Sequence, residues 1–484
     1  MEPGLHMAEV TTQFLCTDLD GTILIGDSLL ESLLSLLGTH VWYIFFIPFW
    51  LFRGRAALKH EIARRVDLEV STLPMREEVI EFLRGQKRKR RKLILATGAD
   101  VKIARAVAEH LGFFDAVLAS DGLTNLTGQK KKEAIQEIVH GESFDYIGNS
   151  WEDIPTWNSA RTAILVGPNP GLLRAVRKSV AHTGVFEVNE HHWTPIWQSL
   201  RPQHWVKNLL LFVPIVMAHD VPDMIRLIPI LLAFVSFSLC ASAIYILNDL
   251  FDLEADRAHP KKRLRTFASG KAPLTAGLSM VPLLLAAGLV VATCVPSRLF
   301  LATVVIYIGA TTVYSIYAKR APIMDVLLLT TLYLLRILAG GFAANVPVSP
   351  WLMALSMFLL LSLAFTKRHA ELFGQTPDGE TQIGATKRDY GTQDIALVQQ
   401  FGVTSGYLSV LVLALYVNGQ EVTTLYRHPQ WIWLACPMLL FWISRVWLLA
   451  SRGKLSEDPV VFATRDPVSY LLGVLLLVIL LVAS

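Results

Sequence analysis

Hydrophobic and polar positions follow two different textures along the chain. Up to about residue 190, short apolar runs alternate with charged stretches of helical period. Residues 14–16, 92–96, 116–119, 144–147 and 162–166 read as short buried strands, and 101–111 and 131–139 as helices between them. Strands alternating with helices predict a parallel α/β sheet covered on both faces. After about residue 200 the apolar stretches lengthen, each near the ~20 residues that cross a bilayer. Nine are expected, at about 205–219, 226–247, 277–295, 298–317, 323–345, 350–366, 395–418, 430–449 and 467–483, the first of them amphipathic. The boundary is expected near residue 190, giving an α/β domain at 1–190 and an all-α polytopic membrane domain at 191–484.

One stretch of the first half breaks this division. Residues 29–52 are almost continuously apolar and include Trp42, Tyr43, Phe45, Phe46, Phe49 and Trp50. Length alone would make it a span, but the motifs on either side must meet in one site, which a single crossing forbids. An interfacial helix or hairpin lying on the membrane is expected, with a buried cap core as the alternative.

Composition agrees with a membrane chain. Hydrophobic residues make up 53% and charged residues 17%, against about 25% charge in soluble domains, and mean hydropathy is +0.44. An ordinary soluble enzyme and a disordered chain are both excluded. Net charge of +4 is mild. The four cysteines form no zinc or disulfide spacing, and the N-terminus lacks the charged start and apolar core of a signal peptide. Lys and Arg gather after alternate spans: Arg257, Lys261, Lys262, Arg263, Arg265 and Lys271; Lys319 and Arg320; Lys367, Arg368, Lys387 and Arg388; Arg445, Arg452, Lys454 and Arg465. The opposite loops offer Arg226, Arg298 and Arg427. This bias puts the N-terminal half on the cytoplasmic side of a bacterial inner membrane. The basic run Lys87–Lys92 reads as a solvated helix end, with anionic headgroups as a second reading. Without interleaved aromatics it does not indicate nucleic acid.

Asp18 and Asp20 follow the first strand in Thr17-Asp18-Leu19-Asp20-Gly21-Thr22. One carboxylate can attack phosphorus while the other protonates the leaving oxygen. The segment resembles the first motif of the haloacid dehalogenase superfamily of phosphatases, and Leu93–Gly98, Asn125–Lys131 and Tyr146–Asp153 resemble the other three in order. The resemblance implies an α/β Rossmann-like fold with a helical cap between motifs one and two. It implies Asp18 as nucleophile, Asp20 as acid/base, Thr97 and Lys131 (with Lys130 or Lys132 as alternatives) as phosphate ligands, and a Mg²⁺ site of Asp18, Asp20, Asn149 and Asp153. Asn149 stands where the family usually has Asp, which puts phosphatase activity in question and leaves open a degenerate domain.

The second span ends Asn248-Asp249-Leu250-Phe251-Asp252-Leu253-Glu254-Ala255-Asp256, placing three carboxylates at i, i+3 and i+7 on one helix face. Such a cluster repels itself unless a cation intervenes, and Mg²⁺ bridging to substrate phosphates is the expected solution. The basic stretch His259–Arg265 follows directly and suits a substrate with several phosphates. Asn248, Asp249, Asp252 and Asp256 match the signature of the UbiA superfamily of intramembrane prenyltransferases, which the region 195–484 resembles. The family's second acidic motif is reduced here to Asp325, after Tyr314 and Lys319. This departure, with the basic loop, Arg201-Pro202, Trp205, Lys207-Asn208, Arg336, Lys367-Arg368 and Asp458–Phe462, resembles the decaprenyl-phosphate phosphoribosyltransferase branch.

That resemblance implies transfer of 5-phosphoribose from phosphoribosyl diphosphate (PRPP) to a polyprenyl phosphate, with Asp249, Asp252 and Asp256 catalytic. Lys262, Arg263 and Arg265 would bind the ribose 5-phosphate. Arg201, Lys207, Asn208, Tyr314, Lys319, Asp325, Arg336, Lys367 and Arg368 would serve the substrates; an arginine inside a span, as at Arg336, is a functional candidate by position. The fused phosphatase would then remove the 5-phosphate, for arabinan-type cell-wall synthesis. Two other readings are an ordinary prenyltransferase with an aromatic acceptor and a regulatory or degenerate phosphatase domain, and a transporter with a regulatory domain. Most charges sit at span ends and no repeat is evident, against the transporter pattern.

Overall fold

The computed structural model describes residues 12–188, 193–218, 224–373, 390–419, 422, 426–455 and 458–483. The N-terminal residues on which the leader reading rests, and Lys387 and Arg388, lie outside the described residues. The chain forms two compact units: Met1–Ser199 with Leu247–Leu278, and Leu200–Ile246 with Ser279–Ser484. The end of the second apolar stretch, with its acidic motif and basic loop, therefore packs in the same unit as the α/β domain.

In the first unit, β1 (Phe14–Thr17), β2 (Lys92–Asp100), β3 (Ala116–Ser120), β4 (Phe144–Gly148), β5 (Thr162–Val166) and β6 (His182–Phe186) form a parallel sheet in the order β3-β2-β1-β4-β5-β6. The five expected strands are present. β6 was not foreseen, because His-Thr-Gly-Val-Phe at a sheet edge lacks a continuous apolar run. The sheet is covered on both faces, and side chains alternate between them. Leu15, Leu93, Leu95, Ile147 and Ile164 enter one core, while Phe14, Cys16, Ile94, Tyr146, Ala163 and Leu165 enter the other with Trp157.

The basic run does not end wholly in solvent. Arg91 is buried, donates to the Thr12 carbonyl at 2.7 Å and the Phe14 carbonyl at 3.1 Å, and pairs with Asp145 in β4. A buried carboxylate inside a strand needs such partners, and Arg91 and the Thr12 hydroxyl both donate to Asp145 Oδ2.

Residues 29–52 form no single crossing. They fold as the helix Ser28–Thr39, a 3₁₀ turn Val41–Phe45 and the short helix Ile47–Phe52. Asp27 caps the first helix, accepting from Leu29 N at 2.8 Å and Leu30 N at 3.1 Å. With Arg55–Ala63 these pieces make a cap whose core is Leu36, Trp50, Ile62 and Val66. Phe45, Phe49 and Phe52 point outward, 80%, 62% and 91% exposed. Both the buried core and the exposed aromatic face are thus present in one segment.

Among the described residues, seven helices are long and apolar enough to cross a membrane, rather than nine: Leu227–Phe251, Leu274–Thr293, Arg298–Ile316, Met324–Ala344, Pro350–Phe373, Ile395–Val417 and Pro429–Ser451. The first expected span is instead a 3₁₀ segment, Pro202–Phe212, running into the short helix Val213–Met217. Prolines near the start of both pieces, Pro202 and Pro214, withhold the N–H groups that a continuous α-helix would use. The last, Pro467–Ala483, is apolar but has 17 residues. The 3₁₀ segment packs closely on Met324–Ala344: a Cβ at Gly340 would overlap the Leu211 carbonyl, the small-residue logic of helix packing in lipid.

Candidate active sites

β1 stops at Thr17, so Asp18 and Asp20 leave the sheet at its carboxyl end beside the ends of β2 and β4, where open parallel sheets bind ligands. Asp18 Oδ1 accepts from Leu19 N at 2.8 Å and Oδ2 from Lys131 Nζ at 3.0 Å. Of the three consecutive lysines, Lys131 is the one buried against Asp18. It also donates to Asp153 Oδ1 at 2.9 Å and to the Tyr146 hydroxyl at 3.0 Å, and that hydroxyl donates to Asp153 Oδ1 at 2.8 Å. Asp153 Oδ2 accepts from Asn149 N at 3.3 Å and from Ser150 N and Oγ at 3.2 Å. Both Asp153 oxygens are therefore held by protein donors, so it orients Lys131 and the 149–150 turn.

Asp20 accepts from Ser28 N at 2.8 Å and Oγ at 3.1 Å, which ties it to the start of the cap. Gly21 has φ +69°, and a Cβ there would overlap the Asn149 amide, so the turn that brings Asp20 round requires glycine. Thr97 is fully buried and its hydroxyl accepts from Ala99 N at 3.1 Å; its neighbour Gly98 lines the cavity. That cavity measures about 750 Å³, with Asp18, Asp20, Lys131 and Asn149 among its lining and Leu29, Leu51, Arg55 and Lys59 contributed by the cap. Lys59 Nζ donates to the Gly98 carbonyl at 2.6 Å and Asn125 Oδ1 at 3.0 Å.

Burial raises the Asp18 carboxyl; Lys131 opposes this and Asp153 adds to it. Asp20 is pushed up to about 7 by burial, then by Asp27 and Asp18, against the Ser28 hydrogen bonds. Burial alone would lower Lys131, but Asp18 and Asp153 outweigh it and hold the ammonium above the usual lysine range. Around Lys131 itself, one ammonium faces two carboxylates, Asp18 and Asp153. Two carboxylates and the Asn149 amide supply the oxygen donors that Mg²⁺ takes. Among the described residues no group of three or more His, Cys, Asp and Glu side chains forms a ready metal cluster, in keeping with Asn at position 149.

The acidic motif occupies a helix junction. One helix ends at Phe251, Asp252 has φ −100° and ψ 14°, and a new helix runs Leu253–Ala258. The expectation of one unbroken helix is corrected to the end of a long helix followed, after Asp252, by a short second one, although Asp252 N still reaches the Asn248 carbonyl at 2.9 Å and Asp256 N the Asp252 carbonyl at 2.8 Å. Arg265 returns from the basic loop to Asp249 Oδ1 at 3.3 Å and Asp256 Oδ2 at 2.6 Å. Burial raises the Asp256 carboxyl, with Arg265 opposing and Asp249 reinforcing. Lys262 and Arg263 lie in the 3₁₀ turn between.

In the second unit, Asp458 Oδ2 accepts from Lys207 Nζ at 2.7 Å and Lys367 Nζ at 3.2 Å. Burial would raise the Asp458 carboxyl, but the two ammonium groups hold it well below the usual range. Arg336 Nε donates to Asn208 Oδ1 at 2.9 Å, Nη1 to the Leu332 carbonyl at 2.6 Å and Nη2 to the Tyr307 hydroxyl at 2.8 Å; Asn208 Nδ2 donates to Ser238 Oγ at 3.0 Å. Arg368 pairs with Asp325 and Glu371 and donates to the Tyr314 hydroxyl at 3.0 Å, while Tyr390 donates to Asp325 Oδ1 at 2.9 Å. Arg201 stacks over Tyr245 at 5.7 Å. Lys319 follows the helix Arg298–Ile316 in a 3₁₀ turn.

Residues 209–466, more than half of the chain, match the model of the UbiA prenyltransferase family. The chain belongs to that family. Residues 14–161 match the haloacid dehalogenase-like hydrolases, so this UbiA chain carries an N-terminal hydrolase-family domain, and both are families of enzymes. Its membership and the seven long apolar helices among its described residues make it an integral membrane protein. It is 34% identical over 96% of its length to y4nM of Sinorhizobium fredii, covering 89% of that protein. It is 36% identical over 36% of its length to a decaprenyl-phosphate phosphoribosyltransferase of Mycolicibacterium smegmatis, covering 56% of it. A solved UbiA homologue from Archaeoglobus fulgidus, bound to GPP and Mg²⁺, aligns over 59% of this chain and 97% of its own with TM-score 0.46 and 15% identity.

Of the UbiA residues that sequence reasoning singled out, the structure brings together Asp249 and Asp256 at Arg265, Lys207 and Lys367 at Asp458, Asn208 at Arg336, and Tyr314 and Asp325 at Arg368. Asp458 was noted in a motif but given no role, since its partners lie 251 and 91 residues away. Tyr146, Arg55 and Lys59 carried no signal of their own, because cap and strand positions acquire meaning only once folded.

Proposed function

We propose that the chain transfers 5-phosphoribose from PRPP to a polyprenyl phosphate such as decaprenyl phosphate, and that its hydrolase-family domain then removes the 5-phosphate. The observation that carries this reading is Arg265 bridging Asp249 and Asp256, at 3.3 and 2.6 Å. A cationic loop and an acidic motif in contact suit a diphosphate donor, whose leaving group needs both. The relative named as a decaprenyl-phosphate phosphoribosyltransferase supports the same donor and acceptor.

In the first reaction a phosphate oxygen of the lipid attacks the anomeric carbon, and the bond from that carbon to pyrophosphate breaks. The acceptor is already anionic, so no strong base is needed. Lys207 and Lys367 come together on Asp458 Oδ2, and two ammonium groups side by side suit a lipid phosphate. Lys262, Arg263 and Arg265 would take the donor's phosphates. Asn208 and Arg336 would position the substrates, which Arg201, Tyr314, Lys319, Asp325 and Arg368 would also serve. In the second reaction Asp18 attacks the 5-phosphorus, Asp20 protonates the departing ribose oxygen, and water releases phosphate from Asp18. Lys131 neutralises charge on the phosphoryl oxygens. Mg²⁺, held by Asp18, Asp20 and Asn149 in one site and by Asn248, Asp249, Asp252 and Asp256 in the other, would supply further charge neutralisation. The exposed Phe45, Phe49 and Phe52 would rest in a bilayer surface, on the cytoplasmic side of the inner membrane.

The test is product mass after incubating the purified chain with labelled PRPP and decaprenyl phosphate. Lipid-linked ribose is expected, and Asp18→Asn should accumulate its 5-phosphorylated form. No lipid-linked product, or use of an isoprenyl diphosphate with indifference to PRPP, overturns the transfer reading. An Asp18→Asn product identical to wild type overturns the phosphatase reading.

A further inference from the structure

The first unit holds a second cavity, of about 450 Å³, that shares Ile25, Gly26, Pro273 and Leu274 with the lining of the phosphatase cavity. The two spaces are therefore neighbours across a thin partition. One side of the second cavity is the chain just after the basic loop, Phe267–Leu274; the other is the start of the cap. Among the described residues, Arg76 and Lys271 line it beside a buried pair of opposite charge, Arg257 and Glu31. The size suits a small polar headgroup, and the charge suits an anion.

The partition is built closely. Gly270 has φ +71°, and a Cβ there would come within 3.2 Å of Ile25 and 3.3 Å of Pro74. Across the same cavity Arg257, one residue beyond Asp256, grips Glu31 of the first cap helix with Nη1 at 2.9 Å and Nη2 at 2.7 Å, both side chains buried. Arg257 Nε donates to the Ala268 carbonyl at 3.0 Å. The helix that follows the acidic motif is thus pinned to the element that covers Asp18.

We propose that this second cavity is a handover site, which holds the ribose 5-phosphate head of the lipid-linked intermediate between its formation at the acidic motif and its hydrolysis at Asp18. The inference rests on the two-step function proposed above. No bond changes in the handover; the 5-phosphate is held by cations and then presented to Asp18 past Ile25 and Gly26.

The experiment uses the full chain in nanodiscs with labelled PRPP and decaprenyl phosphate, in the presence of excess unlabelled lipid-linked ribose 5-phosphate. In wild type the label should reach the dephosphorylated product with little dilution by the added intermediate. Lys271→Glu, an exposed position, should leave each separate step near wild type, yet raise dilution about tenfold by removing the local attraction for the anion. Ala272→Leu, which fills the cavity, should do the same, so the reading does not depend on one variant's folding. Full dilution in wild type, or unchanged dilution in both variants, overturns the handover while leaving the two reactions standing. Absence of either separate reaction in wild type overturns the proposed function, and the handover with it.

Discussion

Two variants that should abolish the proposed hydrolysis leave opposite charge balances around Lys131. In the metal-free chain one ammonium faces two carboxylates, Asp18 at 3.0 Å and Asp153 at 2.9 Å, with side-chain exposures of 3%, 10% and 0%. Asp18→Asn leaves one positive and one negative group, a balanced pair that keeps Asp153 fully bonded. Lys131→Met leaves two buried carboxylates and no cation. Removing one partner of a buried pair costs about 3–5 kcal/mol, whereas losing one member of an overcharged cluster should cost within about 1 kcal/mol. Both variants should lack the proposed hydrolysis, so activity cannot separate them, but local stability can. Hydrogen exchange followed by mass spectrometry, with EDTA present, should show peptides covering β1 and β4 exchanging about 10²- to 10⁴-fold faster in Lys131→Met. In Asp18→Asn they should exchange near the wild-type rate. Equal protection in all three proteins, or equal loosening in both variants, would refute the charge balance described here.

Three further outcomes follow from other contacts. Arg265→Ala should lower kcat/KM for PRPP by about 10- to 100-fold, the scale of losing charge-assisted hydrogen bonds, read as label entering butanol-extractable lipid; an unchanged value would remove Arg265 from the donor site. Arg91→Met should destabilise the first unit by about 3–5 kcal/mol, while the paired change Arg91→Met with Asp145→Leu should recover most of it, measured as a double-mutant cycle by hydrogen exchange at β4. Gly340→Ala should lower the thermal midpoint of the detergent-solubilised chain through a cost of about 1–3 kcal/mol, because the Leu211 carbonyl cannot give way as a side-chain tip would.

What the sequence disclosed follows from how local each signal is. β1 and β5 are read from short apolar runs because both their faces are covered, and Asp18 and Asp20 stand two residues apart directly after the first of them. β6 escaped because an edge strand need not be apolar. The break at Asp252 escaped for a different reason. The i, i+3, i+7 spacing is compatible with both a continuous helix and two turns joined at one residue, since the Asn248 and Asp252 carbonyls still accept the expected N–H groups. Residues 29–52 were ambiguous between buried core and membrane face because the apolar run contains both: Trp50 turns inward while Phe52 turns outward. No period in the sequence separates them, since the segment changes from α-helix to 3₁₀ and back.

The partnership of Glu31 and Arg257 lies beyond any local reading. They are 226 residues apart, and each alone resembles a solvated charge on a helix. Folding makes them a buried bidentate pair, and the neighbouring contacts agree: Ser35 Oγ approaches Glu254 at 3.5 Å, a Cβ at Gly38 would press on the Phe251 carbonyl, and Thr266 Oγ1 donates to the Pro195 carbonyl at 3.1 Å. A composition boundary near residue 190 marks where the texture of the sequence changes, but the segment Leu247–Leu278 belongs to the compact unit of the α/β domain. Cutting the chain at that boundary would take Glu31 from Arg257 and strand a buried guanidinium one residue from Asp256. Loss of phosphoribosyl transfer in a truncated chain would therefore report damage to the acidic motif's own scaffold, whatever the hydrolase-family domain contributes chemically.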